Sequence, residues 1–335
     1  MMSRLRGKHR TIIRAGNRST VRGAVVLALA LTILPARAQP EPPKEEWAEI
    51  ESVTVSAQPG PAVWRLTRGA SEVWILGYVG PLPREMDWNR DSVADLLDGA
   101  RAVLLPPRAD FNLVDIGWFM IRHGGELSLP RGQALEDSLP PDLRARFQAA
   151  RTAIGTDADD YRTDIPIRAG VRLAQDFVKK ADLGWREPRW TVERLASRKR
   201  VPTTPVSRFD VMDAVRDLLK LTPEQQNTCL SQAVEDVTWA RVHAERAARA
   251  WAVGDIRTVK AHYSESRLFG CVIAQVERIG SIDARNIAET VGAINGALNQ
   301  AGKTVALVQM GPLLRKDGVL ARLKAQGVAI EAPAE

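Results

Sequence analysis

Histidine and cysteine are scarce in this chain, with four His and two Cys among 335 residues. That scarcity excludes several chemistries. His9, His123, His243 and His262 are far apart in sequence, no pair stands at ligand spacing, and there is no H-E-x-x-H helix to hold zinc. Neither cysteine has a His or a second Cys at ligand spacing, so the pair does not make a zinc site. A G-x-S-x-G nucleophile elbow is also missing. Gly77 and Gly80 are not followed by Lys-Ser/Thr, which excludes a phosphate loop. The adjacent acids Asp159-Asp160 and Glu235-Asp236 read as solvated surface pairs. Long apolar runs are lacking too. After residue 38 nothing approaches the about 20 apolar residues that a membrane-spanning helix needs.

The charge is unevenly placed. The formal net charge is +7, but residues 1–38 carry eight Lys/Arg and no acid, leaving 39 basic against 40 acidic residues, a net of −1 for the remainder. A nucleic-acid surface needs its basic residues on the folded domain, so no nucleic-acid partner is expected. The run Arg194, Arg198, Lys199 and Arg200 reads as a solvated helix end. Residues 1–38 read instead as an export signal. A basic stretch ends at Arg22, Gly23 to Leu34 is apolar, and Ala36-Arg37-Ala38 is an A-x-A cleavage site that leaves Gln39 first. An uncleaved anchor is the alternative. The expected location is the periplasm, reached across the inner membrane. An exported protein with two cysteines tends to pair them, so Cys229 and Cys271 are expected to form a disulfide.

Residues 39–60 are rich in Pro, Glu and Ser and read as a flexible lead-in, with one edge strand at Ser52–Ser56. Ala62–Leu66 and Glu72–Leu76 are apolar runs around Arg68-Gly69-Ala70-Ser71, the pattern of a β-hairpin. A helix capped by Asp87 or Asn89 follows, then a strand at Arg101–Leu105. Helices are expected over 111–122, 140–153, 166–181, 189–197, 208–220, 223–253, 255–279 and 281–301. Thr222-Pro223-Glu224-Gln225 is a capping box with Pro at the first helical position. Ser281-Ile282-Asp283 is expected to open the last of these helices. From Lys303 to Ile330 the pattern is strand, turn at Gly311-Pro312, helix through Leu314, Val319, Leu320 and Leu323, stop at Gly327, and strand. Such turns are where α/β proteins place ligands. Of the nine tryptophans, Trp64 and Trp74 read as core anchors. Trp185, Trp190 and Trp239 stay open between core and a stacking surface.

Taken in order, these motifs resemble the TraB/GumN family, whose animal relatives are the Tiki proteases. The resemblance runs from Pro61 to about Ile330. It rests on the hairpin ending PAVWRLTRGASEVWILGYVGPLPREMDW and on an aromatic-plus-GD signature at Trp251, Gly254 and Asp255. Arg285-Asn286 on a long helix and the closing VALVQMGPLLRKDGVLARLKAQGVAI complete it. The family carries two G-x-x-H motifs, and the resemblance implies a divalent-metal peptidase site with those histidines as ligands. Here the two positions hold Gly80 and Leu314, and AVLLPP stands where the family has an acid at the end of its third strand. Glycine and leucine offer no lone pair to a metal.

The expected fold is α/β (α+β). A small central sheet comes from the N- and C-terminal parts of the chain, with a large, mostly helical insertion at about 108–301, in one domain over 61–332. The expected site is a vestigial cleft at Gly77, Gly80, Gly311, Leu314, Arg285 and Asn286, with no catalytic residue, metal or cofactor. Arg285 and Asn286 are either site residues or a helix-to-strand brace. The expected function is a non-catalytic binding or structural module of the cell envelope, partnered by a protein, peptide or glycan. The alternative is a metal-dependent hydrolase with non-standard ligands, drawing on Arg285, Asn286, Glu289 or His123.

Overall fold

The computed structural model describes residues 60–110, 112–184, 188–210 and 212–333. The export signal, the edge strand at Ser52–Ser56, the lead-in up to residue 59 and Trp185 lie outside the described residues.

A six-stranded sheet forms the centre. Its strands are β1 (Val63–Arg68), β2 (Ser71–Tyr78), β3 (Ala100–Leu105), β4 (Thr203–Pro205), β5 (Gly302–Gln309) and β6 (Ala329–Glu331). Across the sheet the order is β6-β1-β2-β5-β3-β4. β2, β5, β3 and β4 run parallel, and β1 pairs antiparallel with both β2 and β6. β1 alternates, sending Trp64 and Leu66 inward between half-buried neighbours, as one-sided burial requires. β5 lies between β2 and β3 and is buried continuously from Thr304 to Val308, the pattern of a strand covered on both faces. The chain therefore inserts its penultimate strand into the middle of a sheet begun at residue 63. The carboxyl ends of four parallel strands meet on one edge.

The helix Glu277–Leu298 lays Ile287, Val291, Ile294 and Leu298 into the sheet's core at spacings of three and four residues. The long helix Pro223–Ala252 opens with the expected capping box, both bonds present. Its first half packs Leu230, Val234 and Val237 against Phe147, Leu173 and Phe177 in a second core. Its last turns bring Ala247, Ala248 and Trp251 into the first. Cys229 on this helix is bonded to Cys271 on the helix Arg267–Gln275, with Cα atoms 5.4 Å apart. Trp64 is fully buried, whereas Trp74 is half-buried beneath Arg65 and Lys303.

Several expectations are corrected. The region 108–301 is mostly helical, as expected, but the central sheet is not built from the two chain ends alone. The region supplies β4 to the central sheet and both strands of the ribbon Arg108–Asp110 with Arg208–Asp210. It also pairs Leu183–Gly184 with Leu82–Pro83. The helix expected from 208 begins at Met212, where Asp210 accepts from the backbone N–H. The helix expected over 255–279 is broken into Ile256–His262 and Arg267–Gln275, because Ser266 caps the second piece by accepting from Phe269 N–H. Asp236 of the long helix reinforces that cap, accepting from the N–H groups of Arg267 and Leu268. The following helix starts at Glu277, so Ser281-Ile282-Asp283 lies within it rather than opening it. After β5 the helix is two pieces, Met310–Leu314 and Val319–Ala325.

Candidate ligand-binding cleft

Trp251 and its neighbours set the frame of the site. The indole N–H of Trp251 donates to the carbonyl of Gly77 at 2.7 Å inside the core, tying the long helix to the end of β2. Gly254 follows at φ +80°, a conformation that favours glycine, and a Cβ there would lie 2.8 Å from the Gly60 carbonyl. Asp255 then caps the helix Ile256–His262 by accepting from Thr258 N–H at 2.9 Å. The aromatic-plus-GD signature is thus a joint that holds the helical region against the strand ends.

Beyond those ends lies a cavity of about 400 Å³. Its floor is the carboxyl edge of the sheet: Tyr78 at the end of β2, Gln309 at the end of β5, Pro106-Pro107 after β3 and Val206 after β4. Its walls are Phe209, Tyr263, Phe269 and Ile287. This is the crevice outside the strand ends in which open α/β sheets bind ligands. Burial pushes the Tyr78 hydroxyl up to about 12, against the pull of Arg189. Gln309 donates to the Tyr263 hydroxyl at 3.4 Å.

One end of the cavity is charged. Arg315 contacts Glu265 at 3.3 Å and Asp283 at 3.2 Å. Burial disfavours the Arg315 charge, but Glu265 and then Asp283 outweigh it and hold the guanidinium above the ordinary arginine pKa. The three residues join the break after residue 262, the helix Glu277–Leu298 and the turn after β5. Two carboxylates face one guanidinium at this end.

The six sequence-derived positions fall in different places. Asn286 lines the cavity, and its Oδ1 accepts from the Ser207 hydroxyl at 3.1 Å, bracing the helix to the loop after β4. Arg285 is not among the lining residues and sits half-exposed, 3.8 Å from Glu289. Gly77 lies in the core, where an added Cβ would be 2.6 Å from the Trp64 ring and 3.1 Å from both Met310 and Leu313. Gly80 precedes Pro81 through a cis peptide. Gly311 lies directly under the Glu265 carboxylate, 2.0 Å from where its Cβ would be. Leu314 is 3% exposed and packed into the sheet's core. The two motif turns leave adjacent strand ends, since Gly77 pairs with Val308 and Tyr78 with Gln309.

Sequence reasoning missed Tyr78, Ser207, Tyr263, Glu265, Asp283, Gln309 and Arg315. Tyr78, Gln309 and Arg315 sit within one or two residues of the quoted glycine motifs, and that proximity was the available signal. His123 lies away from the cavity and pairs with Glu126 at 2.8 Å. The fold also joins two histidines that the sequence holds 19 residues apart: Nδ1 of His243 lies 2.7 Å from Nδ1 of His262. Trp239 stacks on His243 at 3.5 Å.

A profile of the TraB/PrgY/gumN family matches residues 62–332. The chain belongs to the TraB/PrgY/gumN family. Comparison with curated proteins and with solved structures returns no match. The divalent metal that family resemblance implies does not fit the residues present. Positions 80 and 314 carry no donor atom, and among the described residues no three His, Cys, Asp or Glu side chains form a ligand group. Glu265 and Asp283, the carboxylates lining the cavity, are both engaged by Arg315.

Proposed function

We propose that this TraB/PrgY/gumN protein is an exported, non-catalytic binding module of the cell envelope. The observation that carries the reading is the content of the cleft at the strand ends. Rings, prolines and aliphatic side chains form most of its surface, and at its charged end Arg315 is ion-paired with both lining carboxylates. Such a surface suits a ligand with a flat apolar body, an extended peptide or the face of a sugar. A binding site of this kind needs no activated water. The export part rests on the Arg-rich start, the apolar run and Ala36-Arg37-Ala38, and places the protein in the periplasm.

Elemental analysis of the purified protein tests the non-catalytic part. The expected result is no stoichiometric metal, and one tightly held Mn, Co or Zn ion per chain overturns it. Mass spectrometry of the exported protein is expected to find Gln39 at the N-terminus. The competing reading, a hydrolase with non-standard ligands, has Glu265 and Asp283 to work with, but an ion pair already occupies both.

A further inference from the structure

The helix Leu113–His123 carries more apolar surface than the fold covers. Val114 and Trp118 are each 63% exposed, Met120 is 50% and Ile121 is 79%. These are four of nine large hydrophobic side chains that stand exposed among the described residues, all on one helix of 11 residues. The helix packs mainly against the turn Gly124–Leu127 that follows it, with Phe119 buried. A helix apolar on both its inner and outer faces is ordinarily covered on both.

Val114, Trp118 and Ile121 recur at i, i+4 and i+7 and form one outward stripe. Gly117 borders it on the Val114 and Ile121 side, the flank away from Trp118, and a Cβ there would meet nothing within 4 Å. Asp115 and Arg122 lie seven residues apart, so both fall on one flank, roughly a quarter turn from the stripe. Neither has an ion-pair partner among the described residues. Two helices that meet antiparallel bring like flanks together, whereas parallel helices bring unlike flanks together. An acid and a base two turns apart on the same flank are therefore complementary to a second copy of themselves, and only in the antiparallel sense.

We propose that two copies of this chain associate about a two-fold axis through the helix Leu113–His123, antiparallel. The two-fold axis passes beside Trp118, so the two Trp118 rings meet across the seam, and Asp115 of each copy meets Arg122 of the other. A two-fold interface is self-complementary by construction, which is what this surface offers. The contact is small, so the dimer is weak and forms with rising concentration.

Sedimentation velocity on the purified protein across a concentration series tests this. The mass is expected to rise toward twice that of one chain, and Ile121→Asp is expected to hold it at one. The deciding experiment is charge reversal. Asp115→Arg and Arg122→Asp each place two like-charged pairs in the homodimer and weaken it by roughly tenfold. Mixing the two variants restores both pairs, so the heterodimer forms within about threefold of the native affinity. Arg122 is exposed and Asp115 half-buried, and a misfolded variant would not recover on mixing. The proposal is overturned by a chain that stays monomeric at every concentration, by a dimer indifferent to Ile121→Asp, or by a mixture that fails to recombine. A monomer that instead co-sediments with phosphatidylglycerol vesicles through Trp118 would assign the stripe to a lipid surface and overturn it equally.

Discussion

Two glycines that look alike in sequence are constrained by different neighbours. At Gly77 an alanine Cβ would press on the ring of Trp64, which is 2% exposed and cannot retreat. At Gly311 the obstacle is the Glu265 side chain from its Cγ to its carboxylate, a flexible chain that can rotate away by giving up its contact with Arg315. Overpacking a closed core costs about 1–3 kcal/mol. Gly77→Ala is therefore expected to lower unfolding free energy by about that much in urea titration, and Gly311→Ala by clearly less. A larger loss at Gly311 would mean that Glu265 is fixed rather than mobile. Trp251→Phe removes the bond to the Gly77 carbonyl. A buried hydrogen bond lost with its partner left in place costs about 1–3 kcal/mol, readable in the same titration.

The helices of the insertion are held to one another by two fastenings of different kind. The disulfide joins the long helix to Arg267–Gln275 across 42 residues. Constraining a loop of that length stabilises by about 4 kcal/mol in the chain-entropy model. Cys229→Ala/Cys271→Ala is expected to lose about 2–4 kcal/mol, measured against the oxidised protein. The second fastening is the His243–His262 contact between the long helix and Ile256–His262. Burial, then His262 and Arg246, lower the His243 pKa, and burial, then Arg246, lower that of His262. A histidine whose native pKa is depressed adds its stability in full above the unfolded value of 6.5, and that stability is lost as pH falls through the native pKa. Melting temperature is expected to drop below pH 6.5 more steeply in the native protein than in His262→Asn, and equal slopes would refute the coupling. The sequence showed one of these fastenings. Two cysteines in a chain expected to be exported have one pairing available. The histidines are brought together by the reversal at Val253–Asp255, which folds Ile256–His262 back along the long helix, and a predicted turn does not say which side chains face each other across it. The hairpin, β5 and the capped long helix were legible because their burial repeats at the period of their geometry. β4 was not, because three residues with Pro at the end form a strand only by pairing with β3.

At the scale of the whole molecule, the family fold is readable from both chain ends. The cleft is not, because its lining comes from segments scattered between residues 78 and 315 that share no motif. The structure also changes what restoring the family's histidines would do. Leu314 is buried at 3% exposure, so Leu314→His puts an imidazole into the sheet's core. Losing that apolar packing costs about 2–5 kcal/mol before any metal is added. A ligand bound only by the folded state returns RT ln(1 + [L]/Kd), about 2.7 kcal/mol at a hundred times Kd. Gly80→His/Leu314→His is therefore expected to melt well below the native protein without metal and to recover several degrees when Mn, Co or Zn is added. The native protein should not respond, because its two positions have no lone pairs to offer. A native response would overturn the reading of the cleft as a site without metal. A variant that is destabilised but indifferent to metal would place Gly80 and Leu314 on separate surfaces. The apolar packing around the end of β5 would then set what both positions can hold, with the joint at Trp251 fixing the strand ends independently of any ligand.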